Sequence, residues 1–270
     1  SDVAALGSAT VTSNGLGINF NATGAAGYKL YHNSVNMNAN QGSGTTAALN
    51  VAAGVTAAGA LDVQNNIFAN TQTSGATRYA VYSAAPASVF TPINYNDYFA
   101  ANVGFIGGSA RVTLGDWQTA TTQDANSLAV DPLFVGPTNL HISAGSPMID
   151  TAVTIPAVNS DFDGQTRPIG AANDIGADEW VATITISGRV LTSDGQGIKN
   201  VLVSLTDSGA GPKRSTLTGP FGYYSFTGQP SNLLYTVSVG SKRFTFTPNF
   251  RDVGGYTDIT NFDFIADPLP

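Results

Sequence analysis

The chain has 270 residues, enough for two ordinary domains, and only 11% are charged, so Asn, Thr, Ser and Gly must supply most of its polar surface. With no cysteine and two histidines, disulfide frameworks, thiol catalysis and the usual Cys/His zinc sites are excluded. The net charge is −7 without any basic run, which excludes a surface that neutralises several phosphates, and no stretch of about 18 apolar residues exists to insert into a membrane.

Residues 1–27 hold two alternating runs, Ala9-Thr-Val11-Thr and Leu16-Gly-Ile18-Asn-Phe20, separated by the turn dipeptide Asn14-Gly15. They read as a strand pair or as a partial first rung. They lack the amphipathic helix or polar repeat that normally caps a stacked architecture, so the edge they form is expected to be exposed.

From Tyr28 to Phe99 one phrase recurs three times: Leu30-Tyr-His-Asn33-Ser-Val35, Val63-Gln-Asn-Asn66-Ile-Phe68 and Ile93-Asn-Tyr-Asn96-Asp-Tyr98. The asparagines lie 33 and 30 positions apart, a period that signals a solenoid. Each period is expected to form one turn of a parallel β-helix. Inward aliphatics would stack as the core, and Asn33, Asn66 and Asn96 would form a structural ladder. Ala47–Val51 and Tyr79–Tyr82 are expected as second strands of their rungs. The small residues of 52–60 suit tight corners; a helix is the alternative, opposed by Gly54 and Gly59.

Between Ser127 and Trp180 come Leu128-Ala-Val-Asp131-Pro-Leu-Phe134, Leu140-His-Ile-Ser-Ala-Gly-Ser146-Pro-Met-Ile-Asp150, Asp161-Phe-Asp163-Gly-Gln-Thr-Arg167-Pro and Asn173-Asp174-Ile-Gly176-Ala-Asp-Glu179-Trp180. With the repeats, these phrases resemble the C-terminal part of right-handed parallel β-helix proteins of the pectate-lyase-like superfamily, in which such a run closes the helix. Pro132, Pro147, Pro156 and Pro168 independently favour a loop-rich closing layer. Almost no linker follows, so a stiff junction is expected.

Residues 181–270 alternate again at Thr183–Val190, Val201–Leu205, Tyr224–Phe226, Tyr235–Val239, Phe244–Phe246 and Phe262–Phe264, with turns at Asp194-Gly195 and Gly219–Gly222. Short strands at this spacing predict an antiparallel Ig-like β-sandwich. Ser187-Gly-Arg-Val190, Gly197-Ile-Lys-Asn-Val201, Phe221-Gly-Tyr-Tyr-Ser-Phe226 and Phe244-Thr-Phe-Thr-Pro248 resemble the carboxypeptidase-regulatory-like (transthyretin-like) domain of bacterial surface proteins. The resemblance implies a structural or carbohydrate-adjacent module without chemistry of its own. The expected fold is therefore all-β, divided as 1–27, 28–180 and 181–270.

A superfamily lyase needs a basic residue and usually Ca²⁺ held by carboxylates, and a hydrolase needs two carboxylates facing one groove. Residues 1–180 hold four basic side chains against twelve acidic ones, and Asp62 and Asp97 sit at different offsets from their asparagines. No catalytic residue and no cofactor is assigned. Asp161, Asp163, Asp174, Asp178 and Glu179 are the densest acidic group; the first four are weak calcium candidates, set against turns at Asp163-Gly164 and Asn173-Asp174 and an ion pair from Arg167. His32 and His141 are expected to be structural, and Trp117 and Trp180 to plug core ends. An intramolecular isopeptide bond from Lys199 or Lys213 is the least favoured chemistry.

The functional expectation is an extracellular structural or adhesive surface protein whose signal was removed or lies upstream of Ser1. Its expected partner is itself, head to tail in a filament, with Ala9, Val11, Leu16, Ile18 and Phe20 as the assembly strand. Cell-surface glycans are a further partner class. Two alternatives stand beside it: Ser1 as a cut within a longer surface protein, and a secreted polysaccharide lyase or hydrolase with the sandwich as accessory module.

Overall fold

The computed structural model describes residues 2–4, 15–21, 23–24, 26–208, 213–231, 233–254 and 257–268. The protein is all-β with two compact units, Ser1–Trp180 and Val181–Pro270.

The first unit begins with β1 (Asp2–Ala4), β2 (Leu16–Phe20), β3 (Tyr28–Tyr31), β4 (Ser34–Asn36), β5 (Gln41–Val51), β6 (Leu61–Gln64), β7 (Ile67–Asn70), β8 (Gly75–Ser83), β9 (Phe90–Asn94), β10 (Asp97–Ala100) and β11 (Asn102–Ile106). They form three parallel sheets, ordered β1-β4-β7-β10, β2-β5-β8-β11 and β3-β6-β9. Each segment of about thirty residues adds one strand to every sheet, so Val35 lies beside Phe68 and Phe68 beside Tyr98, while Leu30 lies beside Val63 and Val63 beside Ile93. Parallel neighbours require a long connection. Here the other two sheets provide it, and Val35, Leu61, Val63, Phe68, Val81, Phe90 and Ile93 fill the shared core. The Ala-rich stretch makes two tight turns, closed by Val55 N–H to Ala52 O and Ala60 N–H to Ala57 O, instead of a helix.

Each third-sheet strand passes to the first sheet through a left-handed residue: His32 (φ 51°), Asn65 (φ 60°) and Tyr95 (φ 55°). That region is costly for bulky side chains. The asparagine that follows holds the corner. Asn33 donates its backbone N–H and side-chain amide to Asn66 Oδ1 (3.0 and 2.9 Å), and Asn66 does the same to Asn96 Oδ1 (3.0 and 2.9 Å). The Asn66 amide also reaches Leu30 O and Gln64 O, and the column ends where Asn96 N–H meets Ser127 Oγ.

Beyond β11 the chain turns back as β12 (Ser109–Arg111), antiparallel to β11, and enters α1 (Leu114–Thr121). A reciprocal capping box between Thr113 and Asp116 starts this helix. It carries the fully buried Trp117 against Phe90 and Tyr98, with ring centroids 6.3 and 6.1 Å apart. Gly104 is obligatory beneath it, since a Cβ there would lie 2.3 Å from the indole. Trp117 thus plugs the core, but from a helix the sequence reading did not foresee.

Of the run 127–180, expected as the closing layer, Ser127 and Leu128 do cover the last strands, Leu128 pairing parallel to Asp97, while residues 134–180 lie along the outer face of the first sheet. This part contains β13 (Phe134–Gly136) and β14 (Asn139–Ile142), and Ile142, Met148, Ala152 and Ile175 cover Ile67 and Ala69 there, with Trp180 partly buried at the margin. Backbone and side-chain bonds pin it: Gly176 N–H to Asn65 O, Asn65 Nδ2 to Val153 O (2.7 Å), and Ala177 N–H to Ser34 Oγ (3.0 Å). The physical reason is that β7 is apolar on both faces, with Phe68 inward and Ile67 and Ala69 outward, while the outward Ser34 and Asn36 of β4 are bonded by Ala177 N–H and Pro137 O of the covering layer.

The second unit contains β15 (Thr183–Leu191), β16 (Leu202–Asp207), β17 (Arg214–Leu217), β18 (Tyr223–Pro230), β19 (Leu234–Gly240), β20 (Phe250–Gly254) and β21 (Phe264–Ile265), in sheets β18-β15-β21 and β17-β16-β19-β20. Strict alternation in β15 buries Ile184, Ile186, Gly188 and Val190, which share one core with Val203, Leu205, Val237 and Val239 of the other sheet. Two expectations are corrected. The last strand, β21, pairs parallel to β15, and Phe244–Phe246 is a loop whose rings still pack on the core.

Asn66 carries the densest set of column bonds with no exposed surface. Asn66→Ala strands the Asn33 N–H and removes the amide that donates to the Leu30 and Gln64 carbonyls, and is expected to cost about 2–4 kcal/mol. Removing the exposed amide of Asn19, bonded to Asn50, should cost under about 0.5 kcal/mol. Urea unfolding of both variants checks the contrast.

Candidate functional site

The flank layer over the first sheet is loop, and its backbone N–H groups have few strand partners. Carboxylates take their place. Asp161 accepts from the backbone of Asp163, Gln165 and Glu179 (3.0, 2.7 and 3.1 Å). Asp174 accepts from Asp150 and Trp180 (2.7 and 2.6 Å), Glu179 from Ile169 and Asp174 (3.1 and 2.7 Å), and Asp178 from Ile142 (2.9 Å). Arg167 forms a buried ion pair with Glu179 at 2.5 Å and donates to Asp174 O and Gly176 O. These acids do for a loop layer what a ladder does for a sheet.

Of the four calcium candidates, Asp161 and Asp174 spend their oxygens on backbone donors. Asp163 and Asp178 instead converge on His141, whose Nε2 is 2.9 Å from Asp163 Oδ2. His141 was read as structural because it is remote in sequence from His32; the tertiary fold gives it acidic neighbours that spacing does not reveal. His32 is buried, contacts Gly176 O and accepts from Asn65 Nδ2 at 2.9 Å. Burial pushes its imidazole down to about 3, so it stays neutral.

The repeat carboxylates do not face a common groove. Asp62 accepts from Tyr31 Oη and Gln64, whereas Asp97 is fully buried, takes Val130 N–H on Oδ1 and has an unpartnered Oδ2. Burial pushes Asp97 up to about 7. Asp124, missed in the sequence, accepts from Trp117 Nε1 (2.6 Å), Tyr98 Oη and Ser127 Oγ beneath the column. Among the described residues of the first unit six acids are buried (Asp97, Asp124, Asp161, Asp174, Asp178 and Glu179), so its formal charge overstates its surface charge.

On the second unit a cleft of about 820 Å³ is lined by Lys199, Lys242 and Arg243 with Asn200, Leu202 and Phe244. Lys199 is exposed, which removes the burial an isopeptide bond would need. Of the assembly strand, Leu16, Ile18 and Phe20 lie in β2, at the edge of its sheet; Ala9 and Val11 lie outside the described residues.

Residues 185–255 match the family described as the carboxypeptidase regulatory-like domain. No curated protein matches the chain. Among solved structures, a C-terminal fragment of the pilus adhesin SpaC from Lactobacillus rhamnosus GG is similar over 34% of this chain and 47% of its own, at 16% identity and a TM-score of 0.26. The Streptococcal ancillary pilin is similar over 40% and 39%, at 15% identity and a TM-score of 0.28. The chain spans less than half of either, and likenesses this slight transfer neither fold nor role. No described helix is long and apolar enough to cross a membrane.

Two outcomes follow from the buried charges. Arg167→Ala leaves Glu179 buried without its cation and should cost about 3–5 kcal/mol in denaturant unfolding. Asp97, Asp174 and Asp178 hold protons in the folded state, at about 7, 7 and 6, that the unfolded chain releases near 4. Their stabilisation is present below about pH 4 and lost as pH rises through 6–7, so the first unit's thermal midpoint should be lower at pH 8 than at pH 5.5. Asp97→Asn should raise the midpoint at pH 8 and flatten that slope.

Proposed function

We propose that the first unit is a right-handed parallel β-helix and that the chain is an extracellular structural or adhesive protein, assembling by strand addition at the β1, β2 and β3 edge. The observation that carries this is an asymmetry between the two ends of the parallel stack. At one end α1, Trp117 and residues 122–128 cover the last strands, with Asp124 N–H bonded to Ile93 O and Leu128 N–H to Asn96 O. At the other, β1, β2 and β3 each stand last in their sheets, without a further strand among the described residues.

An unpaired edge of three strands is a template for another strand. Direct stacking of one copy's first layer on another's last is blocked by the covered end. A donor is offered by a neighbour's second unit, where β17, β18, β20 and β21 are each paired on one side only among the described residues. Such a contact is heterologous, and repetition gives a filament instead of a closed ring when the rotation does not close. The regulatory-like domain match is in keeping with a surface module in that second unit.

Light scattering and negative-stain microscopy of the full chain over a rising concentration series test the reading. Linear assemblies that lengthen with concentration are expected. Monodisperse monomers at the highest concentration overturn self-assembly.

A further inference from the structure

Where β14 meets two turns of the flank layer, His141, Asp163 and Asp178 each bring one ligand atom within 4.8 Å of the others. The imidazole is oriented from behind. Nδ1 contacts Asn139 Oδ1, and that oxygen also accepts the His141 backbone N–H at 3.3 Å, so an oxygen and not an amide nitrogen faces the ring. Nδ1 therefore carries the proton, and Nε2 turns its lone pair toward Asp163 Oδ2 at 2.9 Å. Two acceptors at this distance require a positive species between them, a second proton or a metal ion. The Phe162 ring, 4.6 Å from the imidazole, restricts its rotation, and Ile142 N–H fixes the buried Asp178 carboxylate.

We propose that His141, Asp163 and Asp178 hold one first-row divalent cation, best matched by Zn²⁺, clamping β14 to the two turns. A histidine whose far ring nitrogen is held by an oxygen acceptor is the usual metal-ligand arrangement. One imidazole and two carboxylates suit zinc, with water in the fourth position, whereas calcium takes six to eight oxygens. Tetrahedral coordination with bonds near 2.05 Å sets ligand atoms about 3.3 Å apart. The His141–Asp163 contact must open by a few tenths of an ångström and both groups must approach the fixed Asp178 carboxylate, movements open to an exposed turn residue and a half-buried ring. His32, the other histidine, is buried with both ring nitrogens engaged and offers no competing site.

The test is calorimetric titration of ZnCl₂ into the chelator-treated full chain, with CaCl₂ as control. One site of about micromolar affinity is expected, roughly tenfold or more tighter at pH 8 than at pH 6 because the metal displaces a proton. At a hundredfold excess over Kd, zinc should raise the thermal midpoint by about 5–10 °C. His141→Gln and Asp163→Asn should each weaken binding about 30-fold or more and abolish that rise. Asp163→Asn, in an exposed turn, keeps the fold testable if the histidine variant fails to fold. Absence of saturable zinc binding, an affinity unchanged in Asp163→Asn, or equal binding of calcium overturns the proposal and leaves a protonated His141–Asp163 ion pair.

Discussion

The constraint on which the first unit depends is the satisfaction of backbone hydrogen bonds at its left-handed corners. A parallel stack gains its ladder bonds along the strands, but each layer must turn sharply between sheets, and His32, Asn65 and Tyr95 take a conformation that two of them adopt at a cost. The following asparagine uses one oxygen to receive two N–H groups from the layer before and one amide to reach carbonyls across the corner. The corner therefore repeats only where the asparagine does, and the sheets stack in register because the column does.

The same constraint, met by other chemistry, explains the flank layer. With five prolines across 127–180 and little pairing, it cannot satisfy its N–H groups by strand contacts, so buried aspartates and a glutamate accept them, and Arg167 neutralises Glu179. Low surface charge and buried acids are two sides of one design. Asn, Ser and Thr keep the exterior polar while carboxylates hold the interior of a loop layer together.

The repeated phrase made the parallel layers and the Asn33–Asn66–Asn96 column legible, because a column needs the same residue at the same place in every layer. The corner geometry was not legible, since His32, Asn65 and Tyr95 share no chemistry. Helix α1 was missed although Thr113 and Asp116 stand at capping-box spacing; eight residues whose large apolar side chains are Leu114 and Trp117 alone give too short a pattern to detect. Phe244–Phe246 alternates like a strand and packs like one, but finds no ladder partner.

By itself the sequence determined an all-β chain, a period near thirty, a change of character near residue 180 and an acidic cluster in 161–179, because these properties are local or strictly repeated. Only the tertiary structure decided that 134–180 lies on a flank and not across an end, that six of the described acids are interior, and that His141 meets Asp163 and Asp178 while Asp161 and Asp174 do not. Those outcomes depend on which apolar face still needs cover once the layers have stacked. That balance is struck between segments more than a hundred residues apart, as between Ser34 and Ala177, and no local pattern records it.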